Sequence, residues 1–441
     1  MTGSLSTSVE VQKLARVVGV EPDELGYLEQ LEAQDVRDLR EQVTVAVFEA
    51  DRQMLQRVAA ATKLIPAKLA AAVGERAFGA LLCARVTNLL EPNRAVDIAG
   101  HLPVGFLADL CLHLDPRRAS RVIGEMPAPM VAEIAGELAA REEYITMGGF
   151  VGHLSKAALD AALDAVGDED LLRTAYVVES KQSLGALVAL LAPERLEDII
   201  TAASTADLWI EALDVLGHVS ERQRGALGDI AAAQPDEVLN SMVRAAQRDG
   251  LWGAVLPVTR AMSPESRTRF AKLGSIQTRP VLATIVDAAA QEALWPELLI
   301  LLPLLPAAAR RRVAALATSF GRQVIERIVA AAHETEQWPA LIAFATELDR
   351  APRLSIAKLI DEGDDEILDS LLLAVDDDRL EAELVAVLGL LPAAAQKRLG
   401  KRILALTAGE FLADLAEAAR EAEVEPLTET LSALPKRPRA A

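Results

Sequence analysis

The hydrophobic pattern of this 441-residue chain repeats every 43 residues in its second half. All four tryptophans keep that spacing, at Trp209, Trp252, Trp295 and Trp338. Four further apolar columns follow in the same register: Val219, Met262, Leu305 and Leu348; Leu227, Phe270, Val313 and Ile356; Leu239, Leu282, Ile325 and Leu368; and Met242, Ile285, Ile328 and Leu371. A fixed period of this length indicates a tandem repeat.

A fifth row begins at Glu381 and keeps most of the same columns. Leu391, Leu399 and Phe411 occupy the first three, whereas Asp414 occupies the last, with Leu415 beside it. A terminal fragment from Val424 repeats the first column at Leu434.

Each row predicts three helices. In the row of Trp295, apolar residues at helical spacing predict a first helix that Pro306 ends, a second through Val313 to Ala317, and a third through Val324 to Ala332. Proline marks the first break in four of the five rows, at Pro264, Pro306, Pro352 and Pro392. This arrangement resembles the armadillo and HEAT families over roughly residues 166–434. The resemblance implies an all-α, right-handed superhelical solenoid of stacked repeats.

A shorter period precedes these rows. The segment Leu90–Ala95 recurs 24 residues later as Leu114–Ala119, and a second proline follows each, at Pro103 and Pro127. An acidic residue before a first-turn proline is typical of a helix start, so the unit predicts a pair of short helices. Residues 64–165 resemble the cytosolic amino-terminal domain of MgtE-type magnesium transporters. Neither the CBS pair nor the membrane domain of that family follows, so transport is excluded.

The two periods predict three segments. Residues 1–63 form a helical lead-in that caps the first repeat, residues 64–165 carry the short repeats, and residues 166–441 carry the 43-residue repeats and a carboxy-terminal cap.

Composition agrees with a helical protein outside the membrane. The chain is 51% hydrophobic but 3% aromatic, which favours a core of Ala, Leu and Val. The longest apolar run, Leu298–Ala309, is short and contains Pro303 and Pro306, so no membrane span is expected. The polar start of the chain, Met1–Val9, does not predict a secretory signal.

Cysteine content and charge bear on the compartment and the partner. Cys83 and Cys111 are the two cysteines of the chain, which suits a reducing cytoplasm. The formal net charge of −20 argues against nucleic acid, because a polyanion would be repelled at long range.

Two explanations are open for the tryptophan column. The indoles could line a groove and clamp an extended peptide, or each could begin the first helix of its row and fill the space between repeats. Proline follows directly at Trp295 and Trp338 and marks a helix start. The sequence therefore favours buried rings.

A basic column is the candidate partner-binding site. Its members are Arg224, Arg267, Arg310 and Arg353, with Gln396, Lys397 and Arg398 in the fifth row. The alternative is structural: arginine stems cover the space between repeats and the guanidinium groups pair with a neighbouring repeat. No acidic column recurs in matching register. The column could therefore form a basic stripe that faces solvent and binds acidic residues of a partner.

Nothing in the sequence predicts catalysis or a cofactor. The acidic clusters Glu362–Glu366 and Asp376–Asp378 lack calcium-loop spacing, and a charged loop between helices is the favoured explanation. The five histidines are scattered, and no nucleophile elbow, metalloprotease motif or dinucleotide fingerprint occurs. Whether a metal binds is left undecided.

The sequence thus predicts a non-enzymatic cytoplasmic scaffold or adaptor that binds a protein partner along its concave face. The alternative, from the MgtE-like segment, is a regulatory protein that responds to divalent cations.

That alternative makes a testable prediction. Magnesium chloride should raise the melting temperature more than sodium chloride of matched ionic strength, because a ligand specific for the folded state stabilises it. Differential scanning fluorimetry measures both shifts. Equal shifts in the two salts would reduce the effect to screening and remove the cation-responsive hypothesis.

Overall fold

The structure, a computed structural model, describes residues 2–50, 52–319, 321–407 and 409–432. For residues 2–6, 45–50, 52 and 318–319 it describes the backbone. Over these residues it contains α-helices with a few 3₁₀ or π turns, and no strand. The predicted all-α class of tandem helical repeats is confirmed. The proposed carboxy-terminal cap falls partly on residues 433–441, and Leu434 with it, outside the described residues.

The chain divides into two compact units, Met1–Val219 and Ser220–Ala441. The α-helices of the first unit are α1 Thr2–Val18, α2 Ala33–Ala50, α3 Arg52–Thr62, α4 Ala67–Val73, α5 Gly79–Thr87, α6 Pro92–Ala99, α7 Val104–His113, α8 Ser120–Gly124, α9 Ala128–Ala140, α10 Tyr144–Phe150, α11 Lys156–Ala165, α12 Asp168–Val177, α13 Leu184–Val188, α14 Pro193–Thr205 and α15 Trp209–Gly217. Its 3₁₀ helices are Pro22–Gln30, Val151–His153 and Lys181–Ser183, and Gly74–Phe78 is a π-helix.

The second unit continues the series. Its α-helices are α16 Glu221–Ala233, α17 Asp236–Asp249, α18 Trp252–Ala261, α19 Pro264–Lys272, α20 Arg279–Gln291, α21 Trp295–Leu301, α22 Ala307–Ser319, α23 Arg322–Glu334, α24 Trp338–Glu347, α25 Arg350–Glu362, α26 Asp365–Asp378, α27 Glu381–Leu388, α28 Ala393–Leu406, α29 Glu410–Glu421 and α30 Glu425–Leu431. A 3₁₀ turn, Leu302–Leu304, extends α21. The predicted boundaries at 63/64 and 165/166 concern repeat type and stay predictions.

Three helices per row are confirmed. Each tryptophan is the first residue of its helix, and Glu381 begins α27 in the same way. The proline at the first break marks the start of the second helix more than the end of the first. Pro264 is the first residue of α19, for example, where its missing N–H costs no hydrogen bond.

The first helices of neighbouring rows pack against one another in the second unit. Helix α18 contacts α21, α21 contacts α24, and α24 contacts α27. Second and third helices also pack between rows, as α20 does on α22 and α23 on α25. The apolar column of the second helices is buried: Phe270, Val313, Ile356 and Leu399 are at most 1% exposed. The core of this unit therefore runs from row to row, as expected of tandem repeats.

The fifth row contains the register change that the sequence shows at Asp414. In α29, Phe411 and Leu415 are buried, whereas Asp414 is exposed. The helix presents the next residue to the core, and α30 begins at Glu425, one residue later than a period of 43 places it.

A left-handed residue precedes each first helix. It lies two positions before the helix start and has φ between 54° and 69° at Asp207, Gly250, Ala293, Glu336 and Arg379. This conformation ends the third helix of one row and turns the chain into the next. Glycine occupies the position in one row of the five, so the other rows carry a steric cost.

In the first unit, the predicted short helices are present in modified form. Pro92 begins α6, as predicted. Pro116 does not begin a helix, and α8 starts at Ser120. The Asp115 carboxylate accepts a hydrogen bond from the backbone N–H of Arg117 at 3.1 Å. That bond stabilises a local turn in place of a helix start.

Within the described residues, no helix is both long and apolar enough to cross a membrane.

The left-handed position predicts a matched pair of stability changes. Ala293→Gly should raise the free energy of unfolding by about 1 kcal/mol, and Gly250→Ala should lower it by about the same amount. The reason is that the β-carbon of alanine makes the left-handed conformation less favourable than it is for glycine. Both positions are exposed, and a β-carbon on Gly250 meets no atom within 4 Å. Chemical denaturation followed by tryptophan fluorescence measures both changes. Two effects of the same sign would contradict the explanation.

Candidate partner-binding surfaces

The tryptophan column lies in the core. Trp209, Trp252, Trp295 and Trp338 are 4%, 1%, 2% and 0% exposed. The indole N–H of Trp338 donates to Ser370 Oγ at 3.1 Å, whereas the N–H groups of Trp252 and Trp295 have no hydrogen-bond partner in the described structure. The prediction of buried rings is confirmed, and a peptide-binding ladder of indoles is wrong.

The basic column contacts backbone carbonyls. In α19, the Arg267 guanidinium donates to the carbonyl oxygens of Thr259, Arg260 and Met262 at 3.0, 3.1 and 2.8 Å. These carbonyls lie at the end of α18, where no further turn of helix donates N–H groups to them. Arg267 therefore caps the first helix of its own row from the second helix.

Arg353 repeats the arrangement of Arg267 two rows later. Its guanidinium donates to the carbonyls of Ala345, Thr346 and Leu348 at 3.0, 2.5 and 2.8 Å. These residues stand seven, eight and ten positions after Trp338. The carbonyls that Arg267 contacts have the same offsets from Trp252. Regular offsets show that the capping contact belongs to the repeat and not to one local sequence.

The fifth row makes the same contact without charge. Gln396 stands in the arginine register, is 6% exposed, and donates from Nε2 to the carbonyls of Gly389 and Leu391 at 3.0 and 2.8 Å. An amide can therefore replace the guanidinium at this position. The shared property is a side-chain N–H that donates to the last carbonyls of the first helix.

Arg310 divides its guanidinium between two partners. Nη1 donates to the Leu305 carbonyl at 2.9 Å, and Nη2 lies 3.3 Å from Oε1 of Glu347 in the next row. Arg224, Arg267, Arg310 and Arg353 are all half-buried. The contacts of Arg267, Arg310 and Arg353 support the structural alternative, and partner binding by the column stays a prediction.

Two arginines next to the basic column, each two residues after one of its members, connect consecutive rows. Arg269 donates to the Gln234 carbonyl at 2.6 Å, and Arg312 donates to the Gln277 carbonyl at 2.7 Å. Both contacts span 35 residues, from a second helix back to the previous row. Carbonyl acceptors explain why no acidic column accompanies the basic one.

The acidic clusters lie at the two ends of α26 and not in one loop. Asp364 caps its start by accepting the N–H of Ile367 at 2.9 Å, and Asp365 pairs with Arg402 at 2.8 Å. Asp376–Asp378 form its exposed last turn. Among the described residues, no group of three or more His, Cys, Asp or Glu side chains could hold a metal ion.

The buried Cys111 and the exposed His113 are the nearby side chains with catalytic potential, and the pKa of each is shifted. Burial raises the pKa of the Cys111 thiol to about 12, so the thiol stays protonated at neutral pH. Partial desolvation lowers the pKa of His113, against the opposing effect of Asp109. Neither change produces an activated nucleophile or a base poised at neutral pH.

Exposed apolar side chains concentrate in α3–α5. Of the eleven large apolar side chains that are exposed in the described structure, six lie here, and together we call them the apolar end surface: Met54, Leu64, Leu69, Val73, Phe78 and Leu81. Leu64, in the α3–α4 connection, is 86% exposed. Sequence reasoning missed this surface because the same residues read as ordinary core positions of amphipathic helices.

A backbone irregularity lies inside the apolar end surface. The π-helix Gly74–Phe78 connects α4 to α5, and Gly79 follows with φ 74°. A β-carbon on Gly79 would meet no atom within 4 Å, so the backbone conformation alone favours glycine there. π-helical turns occur frequently at functional sites.

The fold defines a tandem helical-repeat protein. No protein-family model and no curated protein matches the chain. Among solved structures, it is similar to a "circular tandem repeat protein with novel repeat topology and enhanced subunit contact surfaces", with 15% identity, a TM-score of 0.20, and coverage of 97% of this chain and 92% of the other. A TM-score that low supports no further argument. The armadillo, HEAT and MgtE resemblances stay predictions.

The capping contact predicts how the basic column responds to mutation. Arg267→Met should lower the free energy of unfolding by about 1.5–3 kcal/mol, because it leaves carbonyls at the end of α18 without a charged donor. Arg267→Gln should retain part of that stability, as glutamine does in the fifth row. Urea denaturation measures both variants.

The matched control is Arg322→Met, since Arg322 is 62% exposed and pairs with Glu326 on its own helix. Its change should stay within about 0.5 kcal/mol. If Arg267→Met keeps its stability and loses a bound partner, the column is a binding site after all.

Proposed function

We propose that this protein is a non-enzymatic helical-repeat scaffold that binds a protein partner, with the apolar end surface as the contact. The observation that carries the proposal is the concentration of exposed apolar side chains in α3–α5. The six side chains lie on three consecutive helices and their connections, and concentrated exposed apolar surface marks protein-binding sites in soluble proteins.

The stacking of the first unit supports a helical partner. Helix α3 packs on α5, α4 packs on α6, and α5 packs on α7, so these helices join the stack toward the later chain. A repeat buries its apolar face on the repeat before and the repeat after it. An amphipathic helix with Leu, Ile or Phe on one face would supply the layer that precedes α3–α5.

The two cysteines support a cytoplasmic location. Cys83 and Cys111 are both free thiols, which fits a reducing compartment. No observation on the described residues favours the cation-responsive alternative.

Partner capture tests the proposal. Leu64→Gln with Phe78→Gln should remove the partner from affinity purifications out of the native host, because it places two amides in an apolar contact. Exposed positions contribute little to folding, so the melting temperature should change by less than about 2 °C. Quantitative mass spectrometry of co-purified proteins is the measurement.

Leu373→Gln is the matched control, since Leu373 is 65% exposed on α26 and lies in the other unit. A partner that leaves with the double variant and stays with this control supports the proposal. Partners retained equally by all three proteins would refute it. Sedimentation velocity shows whether the apolar end surface instead joins two copies of this chain, which would also overturn a separate partner.

A further inference from the structure

Residues 2–44, which we call the N-terminal module, have an apolar core of their own. Helix α1 packs on α2 and on the 3₁₀ helix Pro22–Gln30. The members of the core are Val11, Leu14, Leu28 and Val36, with Leu25 and Val43 packed against them. All six residues belong to the module, so over the described side chains its apolar cluster does not extend into the repeats of the first unit.

The module meets those repeats through charged side chains. Arg16 lies 2.8 Å from the Glu143 carboxylate and donates to Thr146 Oγ1 at 3.0 Å. Arg40 and Lys13 lie 3.0 and 3.8 Å from Oε1 of Glu179. These contacts join α1 and α2 to residues more than one hundred positions away in the chain.

A further cation comes from the repeats themselves. Arg117 pairs with Glu41 of the module, and its Nη2 lies 3.6 Å from Oε2 of Glu179. We call Arg117, Glu143, Thr146 and Glu179 together the ionic face. Glu143 and Glu179 make this face net acidic, whereas Lys13, Arg16 and Arg40 make the opposing module surface basic.

A buried carboxylate organises the cations of the module. Glu10 is 2% exposed and lies 3.2 Å from Lys13, 3.1 Å from Arg37 and 3.3 Å from Arg40. Burial opposes its ionisation, but the charges of Lys13, Arg40 and Arg37 outweigh burial and lower the pKa of Glu10. The carboxylate therefore stays charged at neutral pH and fixes the cations on one side of the module.

The balance of forces makes this contact separable. The pairs that join the module to the repeats are partly to largely buried: Arg16 and Glu143 are 40% and 23% exposed, and Arg40 and Glu179 are 14% and 19% exposed. Separation returns these charges to water, and the hydration that they regain offsets much of the Coulomb energy that is lost. Among the described residues, the apolar core of the module receives nothing from the repeats, so the module keeps that core when it separates. The free energy of separation is therefore far smaller than the free energy of unfolding the module. Contacts of this kind break while the module stays folded.

From this geometry we infer that the ionic face is a docking site for a basic helix of a partner protein, and that the N-terminal module is an intramolecular occupant which the partner helix displaces. Lys13 and Arg16 show the pattern that fits: cations three residues apart on one helical face. The ionic face is separate from the apolar end surface, and this inference does not depend on the proposed function.

The test uses the full chain and a fluorescent, helix-stapled peptide with the sequence of residues 8–18. Lys13→Met with Arg16→Gln weakens the module's hold and leaves the ionic face intact. Fluorescence anisotropy should then show about tenfold tighter peptide binding than to the wild type, as expected when the occupied fraction of a site falls from about nine-tenths. Adding Glu143→Gln and Glu179→Gln to that double variant should abolish binding.

Controls separate this effect from a general loss of structure. Arg173→Gln removes a surface pair with Glu169 in the same unit and should leave peptide binding at the wild-type level. Hydrogen exchange on the wild type should accelerate in α1 and α2 as sodium chloride rises, with α9 and α11 unchanged. That measurement needs no variant and no peptide.

Three results would overturn the inference. They are equal peptide affinity for the wild type and the double variant, binding that survives loss of Glu143 and Glu179, and exchange in α1 and α2 that does not respond to salt. None of them bears on Leu64 or Phe78, so a failure here and a failure of the proposed function are distinguishable.

Discussion

The structure of the second unit depends on burial between rows. Three short helices cannot enclose an apolar core alone, so each row completes its core against the next. Three of the first helices begin with a tryptophan that is at most 2% exposed. Burial of an aromatic side chain of 150–250 Å² contributes about 4–6 kcal/mol as an upper estimate.

Burial of the first helix creates a second requirement. The helix ends against its neighbours, where the last carbonyls need donors from the protein. Arg267, Arg353 and Gln396 provide them from the same register of the second helix. This explains how a chain of net charge −20 contains a regular basic column. Arg267 and Arg353 donate to backbone carbonyls inside the repeat, so they need no carboxylate partner in the same register.

The sequence predicted the period, the three helices of each row and the buried columns, because apolar periodicity is local and repeats four times. It did not predict the partners of the arginines, since backbone carbonyls have no signature in a side-chain sequence. The change of register at Asp414 and Leu415 was visible, but its meaning needed the helix that presents Leu415 to the core. The contact of Arg16 with Glu143 was beyond sequence reasoning, because nothing local connects two residues so far apart.

The two surfaces of the first unit differ in the force that would hold a partner. Contact at Leu64 and Phe78 would strengthen or stay constant as salt rises, since apolar burial is not screened. Contact at Glu143 and Glu179 would weaken over the same range, because salt screens the attraction between two charged surfaces beyond a Debye length of about 8–10 Å. If both proposals hold, the opposite salt responses would let the chain keep one partner while it exchanges another. On this inference, the N-terminal module would raise the affinity that a partner helix needs. That helix must first displace Lys13 and Arg16 from the carboxylates that they already contact.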